Sequence, residues 1–157
     1  MAQASVITDE MRAAIGKESE PVTIEVDKTA VRMFARAVGY KDLIFYDEQY
    51  AKSKGYRSLP VPMGFLGHPI YRPDRPSRPA YVMAFQTPYQ RVLNGGTDIE
   101  YYEPICAGDV LTATTKVADI VERTGSIGPM LVIISEITCR NQAGKPVATF
   151  RGTLIQY

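Results

Sequence analysis

Hydrophobic positions along this chain change period twice, and each change marks a different kind of element. From Pro21 to Val26 the apolar residues Val22, Ile24 and Val26 alternate with Thr23 and Glu25, the period of two that a strand with one buried face requires. Asp27 follows as a helix cap. From Lys28 to Val38 the apolar set becomes Val31, Phe34, Ala35 and Val38, spaced i, i+3, i+4 and i+7, with Lys28, Arg32 and Arg36 on another face. That spacing predicts an amphipathic helix ending at Gly39. Shorter helices are predicted from Thr8 to Ile15, stopping at Gly16, and from Asp47 to Lys54, stopping at Gly55.

Beyond Gly55 the pattern breaks. Pro60, Pro62, Pro69, Pro73, Pro76, Pro79 and Pro88 fall in one stretch, which excludes a long regular element while leaving room for a short helix between Pro62 and Pro69. An irregular loop is expected around Pro73 to Pro79. The C-terminal half returns to strand character: Arg91-Val-Leu93, Asp98 to Tyr102, Val110 to Arg123, Met130 to Asn141 and Val147 to Tyr157 are rich in Val, Ile, Thr and Tyr. The turns Cys106-Ala-Gly-Asp109, Gly125-Ser-Ile-Gly128 and Gln142-Ala-Gly-Lys145 separate them. Such short connections permit only antiparallel pairing, so the last three strands form a meander. Leu131 to Ile134 is apolar at every position, which predicts cover on both sheet faces. One amphipathic helix before a long antiparallel sheet gives an α+β fold in which the sheet curls around the helix.

Composition narrows the function classes without choosing one. A chain of 157 residues, 45% hydrophobic and 22% charged, suits one domain over 1–157, with 1–14 as an N-terminal extension. Eighteen basic against seventeen acidic residues give no broad electrostatic footprint for nucleic acid. Cys106 and Cys139 form no CxxC pair or Cys/His cluster, so no metal is expected. The acidic, weakly apolar N-terminus resembles neither a signal peptide nor a membrane span, and a reduced, cytoplasmic protein is expected.

Four words along the chain carry a more specific signal. Phe34-Ala-Arg-Ala-Val-Gly39, Tyr40-Lys-Asp-Leu-Ile-Phe-Tyr-Asp-Glu48, Ala51-Lys-Ser-Lys-Gly-Tyr56 and Tyr102-Glu-Pro-Ile-Cys-Ala-Gly-Asp109, in this order, resemble the MaoC-type (R)-specific enoyl-CoA hydratases and hydroxyacyl dehydratases. The resemblance spans roughly 15–157 and implies a hot-dog fold. It is strongest to the N-terminal-type half found in the non-catalytic subunits of mycobacterial hydroxyacyl-ACP dehydratases and of two-component acyl-CoA hydratases. Active members carry Gly-Asp-x-Asn-Pro-x-His after the helix, where Asp and His hold the water that adds to or leaves from the β-carbon. Here the matching stretch is Gly39-Tyr40-Lys41-Asp42-Leu43-Ile44-Phe45. Tyr40 stands at the Asp position and Phe45 at the His position, and a benzyl ring cannot carry a proton. Where active relatives have Ala-His-Gly, this chain has Val61-Pro62-Met63.

The remaining candidates each have two readings. His68, the single histidine, is a relocated base or an ordinary exposed side chain. Asp42, Asp47 and Glu48 are replacement acids or, for Asp47, a helix cap. Phe45, Tyr46, Tyr50, Tyr56, Met63 and Phe65 line an acyl pocket or fill the core. Asn94-Gly95-Gly96 admits a ligand backbone closely or makes a bulge. Arg72, Arg75 and Arg78 meet CoA phosphates or form a solvated loop. Together with the resemblance, these residues imply an acyl-CoA or acyl-ACP hydratase/dehydratase subunit with no catalytic residue and no cofactor of its own. Its substrate wall is expected at Tyr46, Met63, Gly64, Phe65, Asn94, Gly95 and Gly96. A motif-intact hot-dog partner is expected to supply the acid–base pair. The alternatives are a homodimeric hydratase or thioesterase with a relocated site, and a non-enzymatic acyl-thioester binding protein.

Overall fold

Three helices in the computed structural model, which describes residues 5–70, 73–74 and 85–157, begin at side chains able to accept a backbone N–H. Thr8 accepts from Met11 at the start of α1 (Asp9–Ala14), and Asp27 from Ala30 at α2 (Lys28–Ala37). Asp47 accepts from Gln49 and Tyr50 at α3 (Glu48–Ser53). Each cap satisfies a donor that the helix itself leaves free. No helix among the described residues is long and apolar enough to cross a membrane.

Among the described residues six strands, β1 (Val22–Glu25), β2 (His68–Pro69), β3 (Val92–Tyr101), β4 (Val110–Gly125), β5 (Gly128–Arg140) and β6 (Pro146–Gln156), form one antiparallel sheet in the order β2-β1-β4-β5-β6-β3. The meander of β4, β5 and β6 follows the predicted turns. β3 runs through both of the separate segments expected at Arg91–Leu93 and Asp98–Tyr102, because a bulge absorbs the glycines: Asn94 Oδ1 accepts the Gly96 N–H at 3.0 Å. β3 then pairs with β6, from Val92 opposite Gln156 to Tyr101 opposite Ala148. Residues 102–109 therefore carry the chain from the sheet's edge back to its middle, beside β1.

Two apolar clusters share the sheet. One joins Ala30 and Val31 of α2 to Ile24, Leu59, Phe65, Leu111, Cys139 and Phe150. The other joins Met11 of α1, fully buried, to Phe85, Ile120, Leu131 and Ile133. The second face of β5 is less covered than its composition suggested, since Val132 and Ile134 are half-buried. The sheet also covers only one side of α2. Ala30, Val31 and Ala35 are buried while Met33 is 67% exposed, so the described residues do not enclose the helix.

The short helix considered between Pro62 and Pro69 does not form. Gly64 and Gly67 adopt positive φ, outside the helical region, and His68–Pro69 pairs instead with Ile24 and Glu25 of β1. Most of the loop expected at Pro73 to Pro79, together with Arg72, Arg75 and Arg78, lies outside the described residues.

Candidate functional site

Asp109 organises the region where the crossing segment meets the chain beyond α3. Its carboxylate is buried and receives Arg57 Nη1 and Nη2 at 2.9 and 2.8 Å, with the Cys106 N–H at 2.9 Å. Burial alone pushes this carboxyl upward, but the guanidinium fork and the backbone N–H outweigh it and hold the group below its ordinary value. The turn so fixed places two extended segments side by side. Ala107 N–H donates to the Leu59 carbonyl at 2.8 Å, and Val61 N–H to the Ile105 carbonyl at 2.9 Å.

These segments wall a cavity of about 300 Å³ together with Tyr56, Met63, Tyr101, Tyr102 and Glu103. Met63 is 69% exposed at its mouth. Gly64 donates its N–H to the Tyr101 hydroxyl oxygen at 3.0 Å, and the Tyr101 ring packs edge-on against Phe150 with centroids 6.1 Å apart. Burial pushes the Tyr101 phenol above its ordinary value; the Gly64 N–H pulls the other way, and Tyr40 is near enough to add to the rise. Tyr102 bonds to Thr149 and Glu100 through its hydroxyl, and Glu103 is ion-paired with Lys145.

The loop that follows α2 carries two packed rings, at the positions that the resemblance aligns with an acid and a base. Tyr40 and Phe45 stack, centroids 5.5 Å apart and planes 23° from parallel. Tyr46 donates its hydroxyl to the Tyr40 carbonyl at 2.6 Å, which holds the loop's shape. Asp42 caps the single 3-10 turn at Leu43–Phe45 by accepting the Ile44 N–H. Asp47 caps α3, and Glu48 binds Lys28, Lys52 and Ser58. Tyr50 is exposed beneath Lys54 Nζ, 5.2 Å from its ring centroid.

A second, apolar cavity of about 460 Å³ lies along the open side of α2, bordered by Met33, Phe34, Ala37, Phe65, Asp27 and His68. Phe65 is buried there, stacked on Phe34 at 5.0 Å. His68 is exposed and meets Phe65 edge-on at 5.4 Å. Asn94, Gly95 and Gly96 border neither cavity. They sit on β3, the bulge five residues and roughly 17 Å along the strand from Tyr101.

Of the residues singled out from sequence, Tyr56 and Met63 thus border one cavity, Gly64 reaches it only through its bond to Tyr101, Phe65 borders the other, and Tyr46 braces the motif loop. Tyr101 and the Val61–Ile105 pairing were not read from the sequence as site features. A signal existed for Tyr101, which alternates with Ile99 on the inward face of β3 directly before the Glu103–Asp109 word. Both cysteines are buried and free; burial pushes the Cys139 thiol up to about 11, which leaves it unreactive at neutral pH. Among the described residues no group of His, Cys, Asp and Glu could hold a metal ion.

Known proteins fit this geometry. The model of the family "FAS1-like, dehydratase domain region" matches residues 13–150. A UPF0336 protein of Saccharopolyspora erythraea is 31% identical over 147 residues, covering 90% of this chain and 87% of the relative. The crystal structure of a C-terminally truncated HadBC (3R-hydroxyacyl-ACP dehydratase) complex from Mycobacterium tuberculosis superposes with a TM-score of 0.70 at 22% identity, over 90% of this chain and 96% of that one. A MaoC-like dehydratase superposes with a TM-score of 0.72 at 20% identity, over 92% of this chain but 42% of the other, so this fold corresponds to less than half of that longer protein. On the match over 13–150 the chain belongs to the FAS1-like dehydratase-region family, and its curled sheet has the hot-dog fold shared with these structures.

Proposed function

We propose that this chain is the pocket-forming, non-catalytic subunit of a heteromeric hydratase/dehydratase acting on 2-enoyl or 3-hydroxyacyl thioesters of CoA or acyl carrier protein, in the cytoplasm and without a cofactor. A motif-intact hot-dog subunit supplies the Asp and His that move the proton and the water. The observation that carries this reading is the Tyr40–Phe45 stack: the positions of the acid–base pair hold two packed rings, and the phenylalanine has no titratable group. The carboxylates nearest in sequence are occupied as caps at Asp42 and Asp47, or by lysines at Glu48. The partner has a place to dock. β3 is an edge strand exposed over most of its length, and an open edge of this size is ordinarily covered. The HadBC relative in fold is itself a complex of two chains.

Following the absorbance of a 2-enoyl-CoA tests this reading. The isolated chain is expected to hydrate crotonyl-CoA and longer 2-enoyl-CoA negligibly. Co-expression with a motif-intact hot-dog chain should give a heteromer faster by at least the ~10²-fold that an acid–base group contributes. Tyr40→Phe in that heteromer should change turnover little. One observation favours a relocated site instead: Asp27 and His68 border the same apolar cavity, although Asp27 Oδ1 already takes the Ala30 N–H at 2.9 Å. Turnover by the isolated chain that His68→Ala or Asp42→Asn abolishes would establish that alternative. Acyl-CoA binding without turnover in either setting would leave a non-enzymatic binding protein.

A further inference from the structure

The Tyr101 hydroxyl is unlike the other phenols described around the cavity. Its oxygen accepts the Gly64 N–H at 3.0 Å, its ring is fixed edge-on against Phe150, and the residue borders the 300 Å³ space. The hydroxyl hydrogen has no acceptor among the described residues. Tyr102, by contrast, bonds to Thr149 and Glu100 through its hydroxyl. Tyr46 donates to the Tyr40 carbonyl, and no described group fixes the direction of the Tyr56 hydroxyl. Tyr101 is therefore a phenol that already accepts one N–H and whose donor has no partner among the described residues, held beside a space that Pro60, Val61, Met63, Pro104 and Ile105 also wall.

Two physical effects sharpen the donor. A hydroxyl that accepts an N–H is polarised along its own O–H, so it donates more strongly than an isolated phenol. Burial also keeps the group protonated at neutral pH. The cavity's carboxylate, Glu103, only accepts and is paired with Lys145, so it competes poorly for a ligand's oxygen. What such a donor needs is an acceptor carried on an apolar chain, without a donor of its own. A thioester carbonyl has that character.

We propose that Tyr101, positioned by the Gly64 N–H, donates a hydrogen bond to the carbonyl oxygen of an acyl thioester held in this cavity. The inference rests on the acyl-thioester reading above and assigns it a specific contact. In the heteromer the same bond would meet the negative charge that gathers on this oxygen when water adds to, or leaves, the β-carbon, so that the partner moves the proton while this chain steadies the charge.

Calorimetric titration of the full-length chain with hexanoyl-CoA and with S-hexyl-CoA, in which a methylene replaces the carbonyl, separates the contact from the rest of the binding. The wild-type chain should bind the thioester about tenfold more tightly than the thioether. In Tyr101→Phe both ligands should bind equally, at the thioether's affinity. The exposed Gly64 N–H can turn to water in that variant, so a fold intact by circular dichroism is expected. Placing 3-fluorotyrosine at 101, a more acidic phenol, should widen the wild-type preference, an effect that a purely packing role would not produce. A thioester preference that survives in Tyr101→Phe overturns this inference alone. Failure of the wild-type chain to bind either ligand overturns the acyl-thioester reading, and this inference with it.

Discussion

The two edges of the sheet are built in opposite ways. β2 is two residues long and contains Pro69, and the chain just before it lies tight against β1: a Cβ added at Gly67 would sit 2.4 Å from the Glu25 carbonyl oxygen. β3 is ten residues long, and Val92 and Leu93 are 52% and 45% exposed. A short strand with proline is one of the devices that make an edge unable to template another chain, while a long exposed strand invites one. The contrast leaves a long strand open to a further chain on the β3 side alone among the described edges. It also assigns the glycines on the two sides different work, closure at Gly67 and a bulge at Gly95–Gly96.

The largest effect is expected where the closed edge is tightest. Gly67→Ala forces a methyl group into the Glu25 backbone and holds alanine at a φ of +103°, which should cost about 3 kcal/mol. The melting temperature should fall by about 10 °C. Gly96→Ala at the open edge meets nothing within 4 Å and bears only the strain of its φ of +125°, so about 1 kcal/mol is expected. Thermal melts of the two variants that fall equally would mean the edges are not built differently.

Next comes the segment that crosses between the edges. Asp109→Asn removes a buried carboxylate from Arg57 and from the Cys106 N–H. Arg57 is largely exposed and can return to water, so the loss should be about 2 kcal/mol, below that of a fully buried pair. Denaturant unfolding measures it. Arg57→Ala should cost at least as much as Asp109→Asn, because it leaves the buried carboxylate without its counter-charge whereas the Asn amide oxygen can still accept the Cys106 N–H; the reverse order would mean that the guanidinium contributes little to the turn.

Most of what could be read from the sequence was local. Asp27, Asp47 and Thr8 each act within three residues, and the i, i+3, i+4 stripe of α2 needs no knowledge of the sheet to be recognised. The hairpins of β4, β5 and β6 are likewise set by short glycine-containing turns. The pairing of β3 with β6 depends on competition among strands far apart in sequence, which alternation does not encode. The cavity was hidden for the same reason. Gly64 meets Tyr101, and Val61 meets Ile105, across long separations in sequence, in the region where the Arg57–Asp109 pair also joins the two segments. Tyr40 and Phe45 were legible as losses against the family motif, but their stacking was not.

A smaller effect is expected from the open edge itself. Replacing Val92 and Leu93 by lysine puts charge on both faces of β3, since neighbouring residues of a strand point to opposite sides. Self-association, or association with a hot-dog partner, should weaken about tenfold, equivalent to about 1.4 kcal/mol. Sedimentation across a concentration series reads this directly. Ile70→Lys beside β2, a residue 44% exposed, is the matched control and should change nothing. Loss of association in the control, with none in the β3 variant, would move the docking surface to the other edge.

The smallest effect belongs to a network that joins the helices. Glu48 binds Lys28 at the start of α2, Lys52 within α3 and the Ser58 hydroxyl. The two lysines and the serine hold its carboxyl at about 2, below the ordinary 4.5. A carboxylate held low contributes stability that is fully present above its unfolded value and is lost as the pH falls. For Glu48 that loss should run from about pH 4.5 down toward about pH 2. Asp109 and Glu122 are also held low, so acid destabilisation should be shallower in Glu48→Gln than in wild type without disappearing. The pair is exposed, and salt should shrink the difference further. Melting temperatures taken from pH 5 to pH 2 at low and high ionic strength measure the slope. A Glu48→Gln variant with the wild-type slope at low salt would show that the lysines leave α2 and α3 energetically uncoupled.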